Sequence, residues 1–348
     1  MTFGIDIGTT SVAGVAVDAA GSVVASATRA HDADLPGRPM GVDEQDPLKL
    51  QAAAEAVIAD IEATAGKPDR IGWTGQMHGV VAVDEAFNPL TPFVTWRDSR
   101  RYGGKVMQEW HSRGLSPFKC LTAPGFVIAR LFGKCVIDPT FLESWHVERG
   151  AVPTSWLPET EETSMLGDNQ AGVFAAQCLL PGSAVVNIGT SGQLSVVVDG
   201  DSPHVVSPHV VNGDSPQGKS GKVEKRLFVD GKWLLCRASL VGGQSLAALR
   251  KELGITWEQV NERAGTDPKI RRCLRGIVDD LFGEMDLSGV TGLVGVGNAL
   301  VRNPALRHAV EERAGMPCLI PDIAEMAAYG VAQLASRTTG HRGRGWFA

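Results

Sequence analysis

The stretch Asp6-Ile7-Gly8-Thr9-Thr10 occurs a second time, in altered form, as Asn187-Ile188-Gly189-Thr190-Ser191. In both copies a run rich in Val, Ile and Ala precedes the glycine and another follows the hydroxyl residues, which is typical of two strands joined by a tight turn. A repeat of this kind between two β-rich runs indicates an internal duplication. The sequence therefore predicts two domains of related topology.

The rest of the chain alternates between strand-like and helix-like segments. The clearest helix start is Asp46-Pro47, an N-cap residue and a first-turn proline ahead of the helix-forming run 48–65. Further helices are expected over 171–180, 243–253, 257–264, 268–285, 304–314 and 324–336, and strands over 2–30, 70–74, 80–83, 93–95, 184–198, near 227 and 234, and over 292–296 and 317–320. This alternation predicts an α/β fold with substantially parallel sheets. We expect an N-terminal domain over 1–180, a C-terminal domain over 181–336 and a flexible tail over 337–348, while residues 101–160 and 199–225 show no clear pattern.

Composition excludes several classes of protein. The 348 residues carry a net charge of −6, so no overall positive field attracts nucleic acid or an anionic membrane. The six cysteines are scattered without the spacing of a zinc site or a disulfide framework. No run approaches about 18 uninterrupted apolar residues, and no leader pattern follows Met1. We expect a soluble, cytoplasmic protein with no nucleic-acid or membrane partner.

The two glycine turns suggest phosphate binding. Consecutive backbone N–H groups in such a turn form a concavity for an anion, and two facing turns could hold a polyphosphate. An ordinary hairpin turn is the alternative for each copy. The first copy carries Asp6 where the second carries Asn187, so only one half offers a hard anionic oxygen. This suits Mg²⁺ held by Asp6 through water, although a purely structural buried carboxylate would also explain Asp6.

A second acidic residue, Asp168, lies in Met165-Leu166-Gly167-Asp168-Asn169-Gln170-Ala171-Gly172, directly before the expected helix 171–180. Asp is favoured as a helix N-cap, and this is one interpretation. Its place between the two phosphate turns favours another, a catalytic base. The two are compatible, because the helix dipole keeps an acid at a helix start ionised.

A nucleotide-binding turn is expected at Gly295-Val296-Gly297, which follows a strand and precedes a helix. The P-loop pattern occurs nowhere in the chain. A Rossmann fingerprint with Asp322 as the ribose ligand is weakened by Leu300, which stands where the third glycine belongs. We interpret the glycines as residues that let an adenosine approach the backbone.

Six motifs occur in the order typical of one enzyme family. They are Asp6 to Thr10, Gly75-Gln76-Met77-His78-Gly79, Trp96-x-Asp98-x-Arg100, Gly167-Asp168-Asn169, Asn187 to Ser191, and Gly295-x-Gly297 followed by Asn303. In these motifs the chain resembles the FGGY-type carbohydrate kinases. Within that family it most resembles the sedoheptulokinases, in Val94 to Arg100, Ala238 to Gly243, Arg275 to Val278 and Gly297 to Asn303, while xylulokinases share the Gln-Met-His and Gly-Asp-Asn elements. The chain is shorter than typical members between Asp98 and Asp168 and around 199–225.

The resemblance implies two actin-like ATPase (ribonuclease H-like) domains with an interdomain cleft, ATP on one side and a ketose on the other. Asp168 would be the catalytic base facing the terminal primary hydroxyl of the sugar. The sugar site would be lined by Gln76, Met77, His78, Trp96, Asp98 and Asn169. The phosphates would be held by Gly8, Thr9, Thr10, Gly189, Thr190 and Ser191, and the rest of the nucleotide by Gly295, Gly297, Asn298 and Asn303. A core position is the alternative for His78 and Trp96, and Arg97 and Arg100 are expected to form structural ion pairs.

The expected activity is ATP-dependent phosphorylation of a ketose, with Mg²⁺ as the ion: sedoheptulose to its 7-phosphate, or, as the alternative, xylulose or another pentulose. A hypothesis of a different class is a non-catalytic module that senses a sugar or nucleotide. Intact Asp6 and Asp168 favour the enzyme, because a sensor needs no base. Whether the chain forms a homodimer is left open.

Overall fold

The computed structural model describes residues 1–100, 102–161, 164–199, 223–239 and 241–337. Most of the segment 199–225 and most of the expected tail, 337–348, lie outside these residues. The strands are β1 Thr2–Ile7, β2 Ser11–Val17, β3 Val23–Ala30, β4 Glu44–Gln45, β5 Arg70–Gly75, β6 Val81–Val83, β7 Phe93–Val94, β8 Lys119–Leu121, β9 Val136–Ile137, β10 Glu159–Thr160, β11 Ala184–Ile188, β12 Gly192–Val198, β13 Val223–Leu227, β14 Trp233–Ser239, β15 Leu293–Val296 and β16 Cys318–Leu319. The helices are α1 Pro47–Ala65, α2 Gly103–Ser112, α3 Ala123–Phe132, α4 Pro139–Ser144, α5 Asp168–Leu179, α6 Gly243–Leu253, α7 Trp257–Arg263, α8 Pro268–Phe282, α9 Asn298–Arg302, α10 Pro304–Ala314 and α11 Met326–Arg337.

The chain divides into two compact units. Unit 1 contains Met1–Ala175 and the segment from Glu325 onward, and unit 2 contains Ala176–Ala324. Each has its own hydrophobic core, built around strand residues such as Phe3 and Ile5 in unit 1 and Val186 and Leu194 in unit 2. No described helix combines the length and apolar character needed to cross a membrane.

The two main sheets share one arrangement. In unit 1 the order is β3-β2-β1-β5, with β1 antiparallel to β2 and parallel to β5. In unit 2 the order is β13-β14-β12-β11-β15-β16, and β11 is likewise antiparallel to β12 and parallel to β15. The duplicated sequence therefore corresponds to a duplicated topology. The sheets are mixed rather than substantially parallel, because each glycine turn closes an antiparallel hairpin.

The predicted start of α1 is confirmed. The Asp46 carboxylate accepts a hydrogen bond from the Leu48 N–H at 2.9 Å, Pro47 occupies the first turn, and Gly66 ends the helix. Leu50, Val57 and Ile61 form its buried face and pack into the unit 1 core. Residues 101–160, which no sequence pattern resolved, contain three short helices and three strands of two or three residues.

The last described helix, α11, does not follow the expected domain boundary. It falls within the expected C-terminal domain, 181–336, but it packs on β1 and β5 of unit 1. Glycines make this packing close: a Cβ on Gly4 would overlap the Ala328 carbonyl, and a Cβ on Gly72 would overlap the Val331 carbonyl. Gly4 and Gly72, which have no side chains and lie on neighbouring strands, thus form the surface on which α11 packs.

Candidate active site

Three parallel segments of unit 1 end at the same edge of its sheet. β1 and β5 pair in parallel, Asp6 opposite Thr74. Residues 164–166 extend the sheet beyond β5, since the Trp73 N–H donates to the Ser164 carbonyl at 2.7 Å and the Leu166 N–H donates to the Trp73 carbonyl at 3.1 Å. The carboxyl ends of parallel strands are a usual place for ligand sites. This topology brings Asp6, Gln76 and Asp168 to one edge.

Asp6 is held in an unfavourable environment. Its Oδ1 is buried and has no hydrogen-bond partner among the described residues. Burial raises the pKa of Asp6 from its ordinary 3.8 to about 7, and the nearby carboxylates of Asp168 and Glu325 add to the rise. Glu325 belongs to no motif in the sequence, and its proximity to Asp6 could not be predicted. A buried, unpaired carboxylate facing two others is an arrangement that a cation would relieve.

Asp168 is the first residue of α5, three residues before the expected helix start. Its side chain is exposed, and its Oδ1 accepts a hydrogen bond from the Asn169 N–H at 2.6 Å. An N-cap side chain usually accepts from the second or third N–H of the helix, so this bond to the next residue is of another type. The position still places a carboxylate at a helix N-terminus, where the dipole favours its ionised form.

Gln76 and Met77 link this edge to its surroundings. Gln76 is 1% exposed, and its Nε2 donates to Gln45 Oε1 at 2.9 Å. Gln45 Nε2 in turn donates to the Thr9 carbonyl, within the first glycine turn, at 2.7 Å. Met77 packs against Gly167, because a Cβ added to Gly167 would lie 2.6 Å from Met77 Sδ. Gln45 was not singled out from the sequence, because it lies in a two-residue strand outside every motif.

His78 has a left-handed backbone with φ of 67°, which brings its ring against the 101–160 region. Its Nδ1 lies 2.8 Å from the Ser144 carbonyl oxygen. A carbonyl only accepts, so Nδ1 carries the hydrogen. Tyr102 and His146 pack beside the ring, at centroid distances of 5.4 and 6.4 Å. His78 is therefore oriented by backbone contacts rather than enclosed in the hydrophobic core.

Trp96 and Asp98 occupy different environments. Trp96 is 50% exposed, so the core alternative is wrong, and its Nε1 donates to Thr9 Oγ1 at 2.9 Å. Asp98 is 2% exposed, and both its oxygens accept from the Arg100 guanidinium, at 2.7 and 2.8 Å. The expected ion pairs are confirmed: Arg97 pairs with Asp34 and Asp43, and Arg100 pairs with Asp98, Glu44 and Glu109.

In unit 2 the second glycine turn is packed against a glycine pair. The Gly243 N–H donates to the Gly189 carbonyl at 3.0 Å, and the Gln244 N–H donates to the Thr190 carbonyl at 3.2 Å. A Cβ on Gly242 would lie 2.5 Å from the Ser191 backbone. Gly242 precedes α6 without a side-chain cap. The turn therefore meets the start of an eleven-residue helix, whose first two N–H groups are taken up by carbonyls of the turn.

The residues expected to contact the nucleotide fall into two groups. Gly297 has φ of 88°, and a Cβ there would lie 2.5 Å from Asn187 Oδ1, so this glycine and the exposed Asn298 lie beside the second turn. Gly295 is instead enclosed by protein, since a Cβ would lie 2.6 Å from Cys318 Sγ. Asn303 is buried and caps α10, its Oδ1 accepting from the Leu306 N–H at 3.2 Å. Both have structural reasons to be present, and nucleotide contact stays a prediction for all four.

The donor set fits a hydrated magnesium ion. Among the described residues, no three His, Cys, Asp or Glu side chains converge closely enough to hold a metal directly. Mg²⁺ usually keeps several waters and takes one or two carboxylates together with substrate phosphates. The unpartnered Asp6 Oδ1 is an oxygen of the kind such a water shell would contact.

Comparison with solved structures defines the class of fold. Over 96% of this chain and 89% of the other, the structure matches a xylulose-type kinase from Brucella ovis, with a TM-score of 0.78 and 18% identity. A ligand-bound xylulose kinase from Lactobacillus acidophilus matches over 97% of this chain and 88% of its own, with a TM-score of 0.74 and 17% identity. The chain has the two-domain actin-like ATPase fold of these kinases.

Sequence comparison relates the first part of the chain to one family. Residues 1–123 match the model of the N-terminal domain of the FGGY family of carbohydrate kinases. The gluconokinase of Bacillus subtilis (strain 168) is 36% identical over 338 residues, covering 76% of this chain and 62% of the relative. The xylulose kinase of Lactococcus lactis is 26% identical over 161 residues, covering 44% and 31%. The chain thus spans less than two thirds of the length of these relatives.

Proposed function

We propose that this chain is an ATP-dependent kinase that phosphorylates the terminal primary hydroxyl of a small sugar. The observation that carries the proposal is the convergence of Asp6, Gln76 and Asp168 at the carboxyl edge of the unit 1 sheet. A carboxylate at a helix start, at the same sheet edge as a buried amide oxygen, is suited to orient a polyhydroxylated ligand. The family match of residues 1–123 supports the same reaction class.

Phosphoryl transfer requires little covalent chemistry from the protein. Phosphoryl transfer proceeds through a loose transition state, so alignment of the hydroxyl with the γ-phosphate and neutralisation of charge account for most of the rate enhancement. Asp168 would orient the sugar hydroxyl and accept its proton late, for which an ordinary carboxylate pKa suffices. Asp6 would hold a hydrated Mg²⁺, which supplies charge neutralisation at the phosphates. The Gly8 and Gly189 turns would bind phosphate oxygens through backbone N–H groups.

Two lines of support for the identity of the sugar favour different substrates. The motif resemblance favours sedoheptulose, whereas the relatives are named as xylulose kinases and gluconokinases. We take a ketose as the substrate class, with sedoheptulose and xylulose as its first candidates. Gln76 Oε1 is an acceptor atom without a partner among the described residues, which suits a hydroxyl group of a sugar.

The test is a coupled assay of ADP release with ATP and Mg²⁺ over D-sedoheptulose, D-xylulose, D-ribulose and D-gluconate. We expect turnover with at least one sugar, lowered about 100-fold or more by Asp168→Ala, on the usual scale for a positioned base. Glu55→Ala, which removes an exposed acid from α1, is the matched control and should match the parent protein. Equal turnover in the Asp168 variant would contradict the base assignment. Thermal stabilisation by ATP or by a sugar, without ADP release in the presence of any of the four sugars, would instead identify a non-catalytic sensor.

A further inference from the structure

Helix α11 runs antiparallel to the strands that it covers. Its first turn lies on Gly4, through Ala328, and its last turn reaches the start of β5, where Arg70 Nη1 donates to the Ala335 carbonyl at 3.2 Å. The N-terminal end of α11 therefore lies at the carboxyl end of β1. From Gly4 to Asp6 is about 7 Å along a strand, and from Ala328 back to Glu325 is about 4.5 Å along a helix. Glu325 thus lies near the level of Asp6.

Asp6 and Glu325 face the same side of the sheet. Side chains alternate along a strand, so Asp6 points to the face that Gly4 presents to α11. Thr28 and Asp6 both pair with Ala13, which places the three in one row across β3, β2 and β1. Thr28 Oγ1 donates to Glu325 Oε1 at 2.9 Å. Asp6 and the Thr28 partner of Glu325 therefore flank Ala13 in this row.

An independent observation points to a ligand in this row. Thr74 is 0% exposed and pairs with Asp6 on the other side, and its Oγ1 has no hydrogen-bond partner among the described residues. It lies on the same face, because Gly72, two residues earlier, contacts α11. A buried hydroxyl and a buried carboxylate oxygen, both unpaired, are costly unless a polar ligand satisfies them.

We propose that Glu325 is a positioning residue of the magnesium–nucleotide site, acting on the water shell of the ion opposite Asp6. The inference rests on the proposed function. Direct coordination is not required, since Mg²⁺ retains most of its waters and outer-shell partners set their orientation. Thr28 has a matching role: it fixes the direction of the Glu325 carboxylate.

The test measures nucleotide binding rather than turnover. The melting temperature of the full chain is followed with ADP in EDTA and with ADP over a Mg²⁺ titration. We expect Glu325→Gln to raise the Mg²⁺ concentration for half-maximal stabilisation about tenfold, the scale for an outer-shell partner, while stabilisation by ADP in EDTA is unchanged. Glu325→Asp should recover part of the effect, Thr28→Val should give an intermediate shift, and the surface control Glu55→Gln should give none.

Failure of the inference is distinguishable from failure of the proposed function. If the parent protein gains no Mg²⁺-dependent stabilisation from ADP, the kinase assignment fails. If the parent does and Glu325→Gln has the same Mg²⁺ midpoint, Glu325 has no part in the ion site. A lower melting temperature in every condition, with an unchanged Mg²⁺ midpoint, would show that Glu325 serves only to attach α11.

Discussion

The Asp98 carboxylate accepts four hydrogen bonds: from the N–H groups of Asp43 and Arg100, and twice from the Arg100 guanidinium. Four is about the full capacity of a carboxylate, so little remains for a sugar hydroxyl. We therefore expect Asp98 to shape the loop that carries Trp96. Replacing it by Asn breaks a buried ion pair and should cost roughly 3–5 kcal/mol of unfolding free energy. Thermal or urea unfolding measures this loss.

The matched control for Asp98 is Asp60, whose carboxylate makes a similar bidentate contact, with Arg29, at the surface. Asp60→Asn should leave the melting temperature nearly unchanged, because an exposed ion pair contributes little to stability. Burial acts to raise the pKa of Asp98, but bonds from Arg100 and Asp43 outweigh it and leave the pKa below 3.8. The stabilisation is therefore complete above pH 3.8 and declines as pH falls through the folded-state pKa. A variant with a higher sugar KM and an unchanged melting temperature would instead make Asp98 a direct ligand.

Asp6 has the opposite energetic character. In the absence of a cation, its buried carboxylate is opposed by burial and by two neighbouring acids, so it destabilises the folded chain at neutral pH. We expect Asp6→Asn to melt at a higher temperature than the parent protein in EDTA, with a gain of at most about 4 kcal/mol, and to lose Mg²⁺-dependent stabilisation by ADP. Calorimetry with and without Mg²⁺ measures both. A variant less stable than the parent in EDTA would show that Asp6 is a structural carboxylate.

Among the elements, the contact of α11 with β1 depends on the missing side chain of Gly4. A methyl group there would overlap the Ala328 backbone, which cannot move without shifting the helix. We expect Gly4→Ala to destabilise unit 1 by several kcal/mol, in the range of overpacked cores. Gly172 is the control: it lies in α5 with no atom close to an added Cβ, so Gly172→Ala should stabilise by about 0.5–1 kcal/mol. Chemical denaturation of both variants tests the pair, and a neutral Gly4→Ala would mean that α11 packs more loosely.

At the scale of the whole molecule, predictability follows the range of the interactions involved. The glycine turns, the α1 cap and the Asp168 helix start are local, so residue order alone indicated them. The placement of α11 could not be predicted locally, because α11 follows every unit 2 element in the chain yet packs on Gly4 and Gly72 of unit 1.

The candidate site divides in the same way. Asp6 lies near the end of β1, Gln76 directly follows β5, and Asp168 follows the segment 164–166, each inside a recognisable motif. Their convergence follows from parallel pairing. Gln45 and Glu325 carry no local signal, because their partners lie about 30 to 320 residues away. Residues 101–160 resisted prediction since strands of two or three residues hold too few positions to show a period.

The Thr9 carbonyl fixes the orientation of the side-chain amides of Gln45 and Gln76, which are both buried. Because a carbonyl cannot donate, the nitrogen of Gln45 must face it, which leaves the Gln45 oxygen to receive the nitrogen of Gln76. The remaining oxygen of Gln76 is buried and unpaired among the described residues. This chain of hydrogen bonds, which starts in the first glycine turn, gives this part of the candidate site a fixed polarity. It should recognise a ligand atom that brings its own hydrogen, and discriminate against a ketone oxygen, a carboxylate or a fluorine at the same position.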